Sequence, residues 1–229
     1  MSASIVSQLV AKDYRLMRRV IATFAFVGAV CIATLYLVRG HVPNWVIFNG
    51  GLAMLLGPMG TCGIVVLIKT NVFEREKATQ PFILSLPVTV KEFTRAKLLV
   101  NLPIFAAFWA VVTAAGFYFA FGEGLLPLGA MPFVTMVFLG VFVAYACILS
   151  TSLLTQSLGI TILGITLFEM ASSAYLTGIA WLGPIAQHIT GTVPVWNTPA
   201  IAIIAVQVCV IVGVLTVTAL IQSTKRDFI

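Results

Sequence analysis

Apolar and polar positions fall in long blocks along this chain rather than with the short period of a soluble amphipathic helix or strand. Six apolar stretches, at 20–38, 45–68, 98–121, 129–153, 158–180 and 199–221, alternate with polar segments. A hydrocarbon core of about 30 Å takes roughly 20 apolar residues in a helix, so each stretch is long enough to cross a bilayer. Only Thr155-Gln156-Ser157 parts the fourth stretch from the fifth, and together they far exceed one span. A tight hairpin is expected there. The pattern predicts an all-α integral membrane protein, one transmembrane domain over residues 1–229 with six transmembrane helices.

The rhythm changes in three places. At 2–19, before the first span, Ile5, Val6, Leu9, Val10, Leu16, Met17 and Val20 project onto an arc of roughly 140° at helical spacing, and Lys12, Arg15, Arg18 and Arg19 fill the rest. This predicts an N-terminal interfacial amphipathic helix against anionic headgroups. An ordinary basic flank of the first span accounts for the same residues equally well. Asp13 projects into the middle of the apolar arc, where an unpaired carboxylate is unfavourable, so it is expected to meet a cationic or hydrogen-bonding partner from another cytoplasmic element.

The second change is the polar segment 69–97, which carries nine of the chain's twenty charged residues. Its pattern suggests one or two short helices at the membrane surface. Pro87 ends the first piece, because proline disfavours helix at the residue before it. Thr89 with Glu92 three positions later then reads as a capping box that opens the next helix. A plain connector is usually shorter and less featured, which favours a docking surface for a partner. The third change is 181–197, apolar but broken by Gly183, Pro184, Gly191 and Pro194. It suits a re-entrant extracellular connector before the last span, its backbone shielded by protein.

Composition removes the soluble alternatives. The 229 residues are 60% hydrophobic and only 9% charged, with mean hydropathy +1.09, whereas a soluble domain is about 25% charged. The formal charge of +6 flanks apolar runs rather than forming a basic face with aromatic platforms, so nucleic acid is not an expected partner. With the N-terminus inside, every Lys and Arg except Arg39 falls on the cytoplasmic side, which predicts both termini in the cytoplasm. Trp45, Trp181 and Trp196 then sit at outer boundaries as an interfacial belt. Cys31, Cys62, Cys147 and Cys209 all lie inside apolar runs without metal-ligand spacing and read as small buried apolar residues. The first apolar run is long enough to span and is expected to be retained rather than cleaved as a signal peptide.

Enzyme motifs are absent. There is no Gly-Lys pair to begin a phosphate-binding loop, no G-x-S-x-G and no H-E-x-x-H, and His41 and His188 read as loop residues. No catalytic, metal or cofactor site is expected in this chain. One residue is anomalous within a span. Glu169 sits near the centre of the fifth, where a carboxylate costs on the order of 3 kcal/mol, so it should face protein or water. Thr166, Ser172 and Ser173 suggest a lined, polar face around it. It reads either as part of a translocation pathway or moving interface, or as a protonated carboxyl serving packing alone. Gly57-Pro58-Met59-Gly60 interrupts the second span, where proline removes a backbone hydrogen bond; a hinge and a static kink both fit. Trp109, central in the third span, reads as packing.

Taken in order, Lys12-Asp13 with the basic cluster through Arg19, Phe73-Glu74-Arg75-Glu76-Lys77, Ser85-Leu86-Pro87, and Ala96-Lys97 entering the third span form a pattern that resembles the ABC-2 type permeases. These are membrane subunits of bacterial ATP-binding-cassette transporters. The resemblance implies residence in the bacterial cytoplasmic (inner) membrane and a coupling helix in the first cytoplasmic loop, carried here by Phe73, Glu74, Arg75, Glu76, Ser85, Leu86 and Pro87. It further implies a cytoplasmic ATPase dimer holding the ATP and Mg, and a second permease copy, identical or paralogous. Lys12 and Asp13 would anchor the N-terminal helix. Permeases of this size resemble those of antimicrobial-peptide export and self-immunity, and in length the haem-exporter permease. The apolar composition suits an amphipathic peptide or lipid-like cargo. Two rival classes remain: an ion-coupled secondary transporter with Glu169 as its titrating group, and a non-transporting scaffold or sensor that binds a partner through 69–97.

Overall fold

The computed structural model describes residues 2–73 and 89–224, and among these all regular structure is helical. Helix α1 spans Ser2–Val38 and α2 spans Asn44–Leu67, which continues into a π-helical turn at Ile68–Val72. Helix α3 spans Val90–Phe117 and ends in a second π-helical turn, Tyr118–Gly122. A 3₁₀ turn at Leu128–Ala130 leads into α4, Met131–Thr155. Then come α5 (Leu158–Trp181), the short α6 (Gly183–Ile189) and α7 (Thr198–Thr224). All but α6 are long and apolar enough to cross a membrane, six candidate spans in the described residues.

Local chemistry explains the boundaries. The Thr89 hydroxyl accepts from the Glu92 backbone N–H at 3.2 Å, and a Glu92 carboxylate oxygen accepts from the Thr89 N–H at 3.0 Å. This reciprocal cap starts α3 eight residues before the apolar run begins. Gln156 adopts a left-handed conformation, φ 47°, and closes the hairpin between α4 and α5. Helix α2 runs through Pro58 without ending.

Helix α1 corrects one expectation. Residues 2–19 do not form a separate surface helix turned away from the span; they continue into it as one helix. Between Tyr14 and Val20 there is no glycine or proline to break it. The apolar arc of the segment is covered only in part: Met17, 2% exposed, packs with Cys62 and Val66 of α2, beside Val20, Ile21, Phe24, Ile104 and Phe108, while Leu16 stays 61% exposed.

Helix α4 occupies the centre of the bundle. It packs against α5 and α7 on one side, while α1, α2 and α3 pack against one another on the other. Its most apolar window is 61% buried, against 6% for α1 and 11% for α5 and α7. The peripheral helices therefore turn apolar side chains outward, including Phe26 at 70% exposed and Leu37 at 72%. A soluble monomer rarely exposes contiguous apolar surface on that scale, so lipid is the solvent that fits it. The chain is a multi-pass membrane protein.

Two glutamines tie α7 to the central helix. Gln207 donates to the Met136 carbonyl at 2.8 Å and Gln222 to the Leu153 carbonyl at 2.7 Å. Such bonds hold helices together where no hydrophobic effect acts between them. At the opposite junction, Phe105 of α3 and Tyr145 of α4 stack at 3.6 Å with rings 6° from parallel. Gly63 of α2 admits this stack, because a Cβ there would lie 2.7 Å from Phe105 and 2.8 Å from Tyr145.

The connector at 181–197 contains one seven-residue helix, and it packs onto the start of α4. The Gly129 N–H donates to the Gly191 carbonyl at 2.8 Å, and the Asn197 amide donates to the Pro184 carbonyl at 2.6 Å. Gly129 cannot carry a side chain, since a Cβ would meet the His188 carbonyl oxygen at 2.1 Å.

Candidate functional site

Helices α1 and α3 run parallel, locked in register by an ion pair near each end. Lys97 Nζ lies 2.7 Å from Asp13 Oδ2, and at the other end Arg39 pairs with Glu123. Both pairs join residues 84 apart in sequence, so the offset is constant along the contact. The 26 residues between Asp13 and Arg39 span about 39 Å at helical rise. That exceeds a hydrocarbon core of roughly 30 Å and approaches the thickness with headgroups included, a spacing that suits one ion pair in each interface.

The two pairs differ in environment. Arg39 and Glu123 are 33% and 25% exposed at their side chains, and the Tyr118 hydroxyl donates to Glu123 at 2.6 Å. Asp13 and Lys97 are 1% and 2% exposed. Lys12, itself 43% exposed, approaches the other Asp13 oxygen at 3.3 Å, and the Lys97 ammonium lies 5.1 Å from the centre of the Phe93 ring. The partner expected for Asp13 is therefore a lysine on a different helix, at the start of α3.

Around this pair the interior is polar. One turn along α3, the Asn101 amide donates to Thr70 Oγ1 at 3.0 Å and back to the Lys97 carbonyl at 2.9 Å. The Tyr145 hydroxyl donates to the Asn101 carbonyl at 3.2 Å, and the Asn71 amide donates to Ser152 Oγ at 3.4 Å. Thr70, Asn71, Asn101 and Ser152 are all 0–4% exposed. Thr70 and Asn71 sit on the π-helical turn that ends α2, whose wider backbone ring shifts the register of side chains beyond it. Single π turns of this kind recur at functional sites. The cluster thus joins α1, α2, α3 and α4, and it does so at both ends of the polar segment: Thr70 and Asn71 at its entry, Lys97 and Asn101 at its exit.

Of the residues carried by the resemblance, Phe73 is half-buried just past the π turn, while Glu74, Arg75, Glu76, Ser85, Leu86 and Pro87 lie outside the described residues. Lys12 and Asp13 join the buried cluster. Glu169 stands apart from it. It lies at the midpoint of α5, exposed on the outward surface with Thr166 and Ser173 one helical turn to either side. Among the described residues it forms no hydrogen bond or ion pair, and the Thr166 hydroxyl turns back to its own helix at the Ile162 carbonyl, 3.1 Å away. The polar face expected around Glu169 exists, but the described residues do not cover it. Trp109 serves packing, donating to the Phe138 carbonyl at 2.8 Å with its ring against Phe142.

Thr70, Asn71, Asn101 and Ser152 were not singled out by sequence reasoning. Asn101 offered the available signal, an amide inside an apolar run one turn from Lys97. Among the described residues no group of three or more His, Cys, Asp or Glu is arranged to hold a metal ion. Comparison with family models, with curated proteins and with solved structures finds no match to this chain.

Proposed function

We propose that this chain is the permease subunit of an ATP-driven exporter, oriented with the cation-rich end of its bundle in the cytoplasm. One observation carries the reading: both ends of the polar segment 69–97 are anchored in a single buried cluster that reaches four spans. A side-chain network so enclosed is rigid, because each polar group in it would be left unsatisfied by independent movement. Displacement of those two anchored ends by a partner would move α1, α2, α3 and α4 together. A partner whose shape depends on nucleotide state would then bias the bundle between two conformations. On this reading ATP and Mg belong to an ATPase dimer docked on the segment, a second permease copy completes the pathway, and the cargo is an amphipathic peptide or lipid-like molecule.

The test is purification of the tagged chain from its own membranes and assay of the eluate for ATP hydrolysis. ATPase activity should co-purify, and Glu74→Lys with Glu76→Lys should abolish it while leaving the chain's melting midpoint unchanged. Absence of ATPase activity, or activity indifferent to the charge reversal, would count against the exporter.

The exposed position of Glu169 favours a second reading, a transporter driven by an ion gradient with Glu169 as the titrating group. In vesicles the two part cleanly. Collapse of the ion gradient stops a secondary transporter with ATP present, whereas the exporter continues.

A further inference from the structure

The first two turns of α3 carry Lys91, Arg95 and Lys97, three cations at the end of a helix whose backbone dipole is positive. Asp13 neutralises Lys97. Lys91 and Arg95 are exposed and form no ion pair among the described residues. They face a cleft between α3 and the first turns of α1, with Lys91, Arg95 and Leu99 on one wall and Val6, Val10 and Tyr14 on the other. Glu92 is the one carboxylate lining it, and its Oε2 already accepts from both the backbone and the hydroxyl of Thr89.

The register of the two helices orders this cleft along the membrane normal. Asp13 and Lys97 stand at one height near an interface. Lys91 lies six residues nearer the helix end, about 9 Å, while Leu99 lies two residues deeper, about 3 Å. Cations therefore occupy the water end, and Leu99 and Tyr14, 48% and 53% exposed, occupy the membrane end. A free anion would use only the first half of such a cleft. A molecule with a negative head and an apolar tail, entering from the bilayer, uses all of it.

We propose that the cleft between α1 and the start of α3 binds one anionic phospholipid, its phosphate on Arg95 and Lys91 and its acyl chain along Leu99. The site follows from membrane residence and from the α1–α3 register, and it is independent of whether the chain transports anything. A lipid held there would bridge α1 to the exit of the polar segment, its phosphate on the solvent side of the Asp13–Lys97 pair.

The full chain is reconstituted in nanodiscs of equimolar phosphatidylcholine and phosphatidylglycerol, released, and its retained lipids counted by native mass spectrometry. A several-fold excess of bound phosphatidylglycerol is expected. Lys91→Gln with Arg95→Gln should bring it to parity, and Leu99→Gln should reduce it. Arg15→Gln with Arg18→Gln, the same charge change elsewhere on α1, should keep it. Parity in the unaltered chain, or an excess untouched by the Lys91/Arg95 pair of substitutions, overturns the proposal. Displacement of the lipid by inorganic phosphate also overturns it, in favour of a free-anion site.

Discussion

Asp13 and Glu169 are carboxylates on predominantly apolar helices, and the fold treats them in opposite ways. Asp13 is enclosed on α1 against Lys97, with a polar cluster of four helices beside it. Glu169 lies midway along α5 on the outer surface, with no partner among the described residues. A carboxylate in hydrocarbon is costly wherever it lies, so the difference concerns who satisfies it. The single chain answers for Asp13. For Glu169 it supplies polar neighbours but no cover; on the proposed reading that face would meet water, cargo or a second copy.

The largest test of this contrast is Asp13→Ala. Removal of one partner leaves the Lys97 ammonium charged in an enclosed site, and a loss of about 3–5 kcal/mol is expected. The readout is the thermal midpoint of the detergent-solubilised protein. Asp13→Asn with Lys97→Met should recover much of that loss, since an enclosed pair removed together costs far less than one half removed alone. A melt indifferent to Asp13→Ala would mean that water reaches the pair, and the contrast with Glu169 would collapse.

Much of this was legible in the sequence. Spans were legible because lipid imposes one length on every apolar run, and all six predicted stretches fall within observed helices. The Thr89–Glu92 cap was legible because both halves of the motif are local. The need of Asp13 for a partner could be read from its projection onto an apolar arc, but the partner's identity could not, since a distance of 84 residues leaves no periodic trace. The same limit hid Thr70, Asn71 and Ser152, whose polarity reads as ordinary span-end chemistry until three helices converge. The continuity of α1 was misjudged for another reason. Amphipathicity marks a helix with two environments, yet it does not say whether the apolar side meets lipid or protein.

A smaller effect separates enclosure from mere pairing. Arg39→Ala breaks an ion pair between the same two helices, but at the partly exposed end. Both freed groups can be hydrated, and exposed pairs contribute little. The expected change in melting midpoint is a small fraction of that for Asp13→Ala, and it should vanish at high salt, where exposed charges are screened. An equal loss at the two ends would show that helix register, rather than burial of charge, sets stability.

The smallest expected effect on stability is the most informative for function. Glu169→Leu removes an uncovered carboxylate from the outer face of α5, so the melting midpoint of the solubilised protomer should not fall. Association should change instead. With the native cysteines replaced, Ser173→Cys places a thiol one turn from Glu169 on the same exposed face, and Phe26→Cys places one on the exposed side of α1 as a control. If a second copy covers Glu169, the cysteine at 173 cross-links between copies in native membranes, the one at 26 does not, and Glu169→Leu suppresses the product. Should neither position cross-link while Glu169→Leu still stops transport, the carboxylate meets water and cargo rather than a sister chain. A stable protomer that also associates and transports normally without Glu169 would leave the contrast with Asp13 as a matter of burial alone.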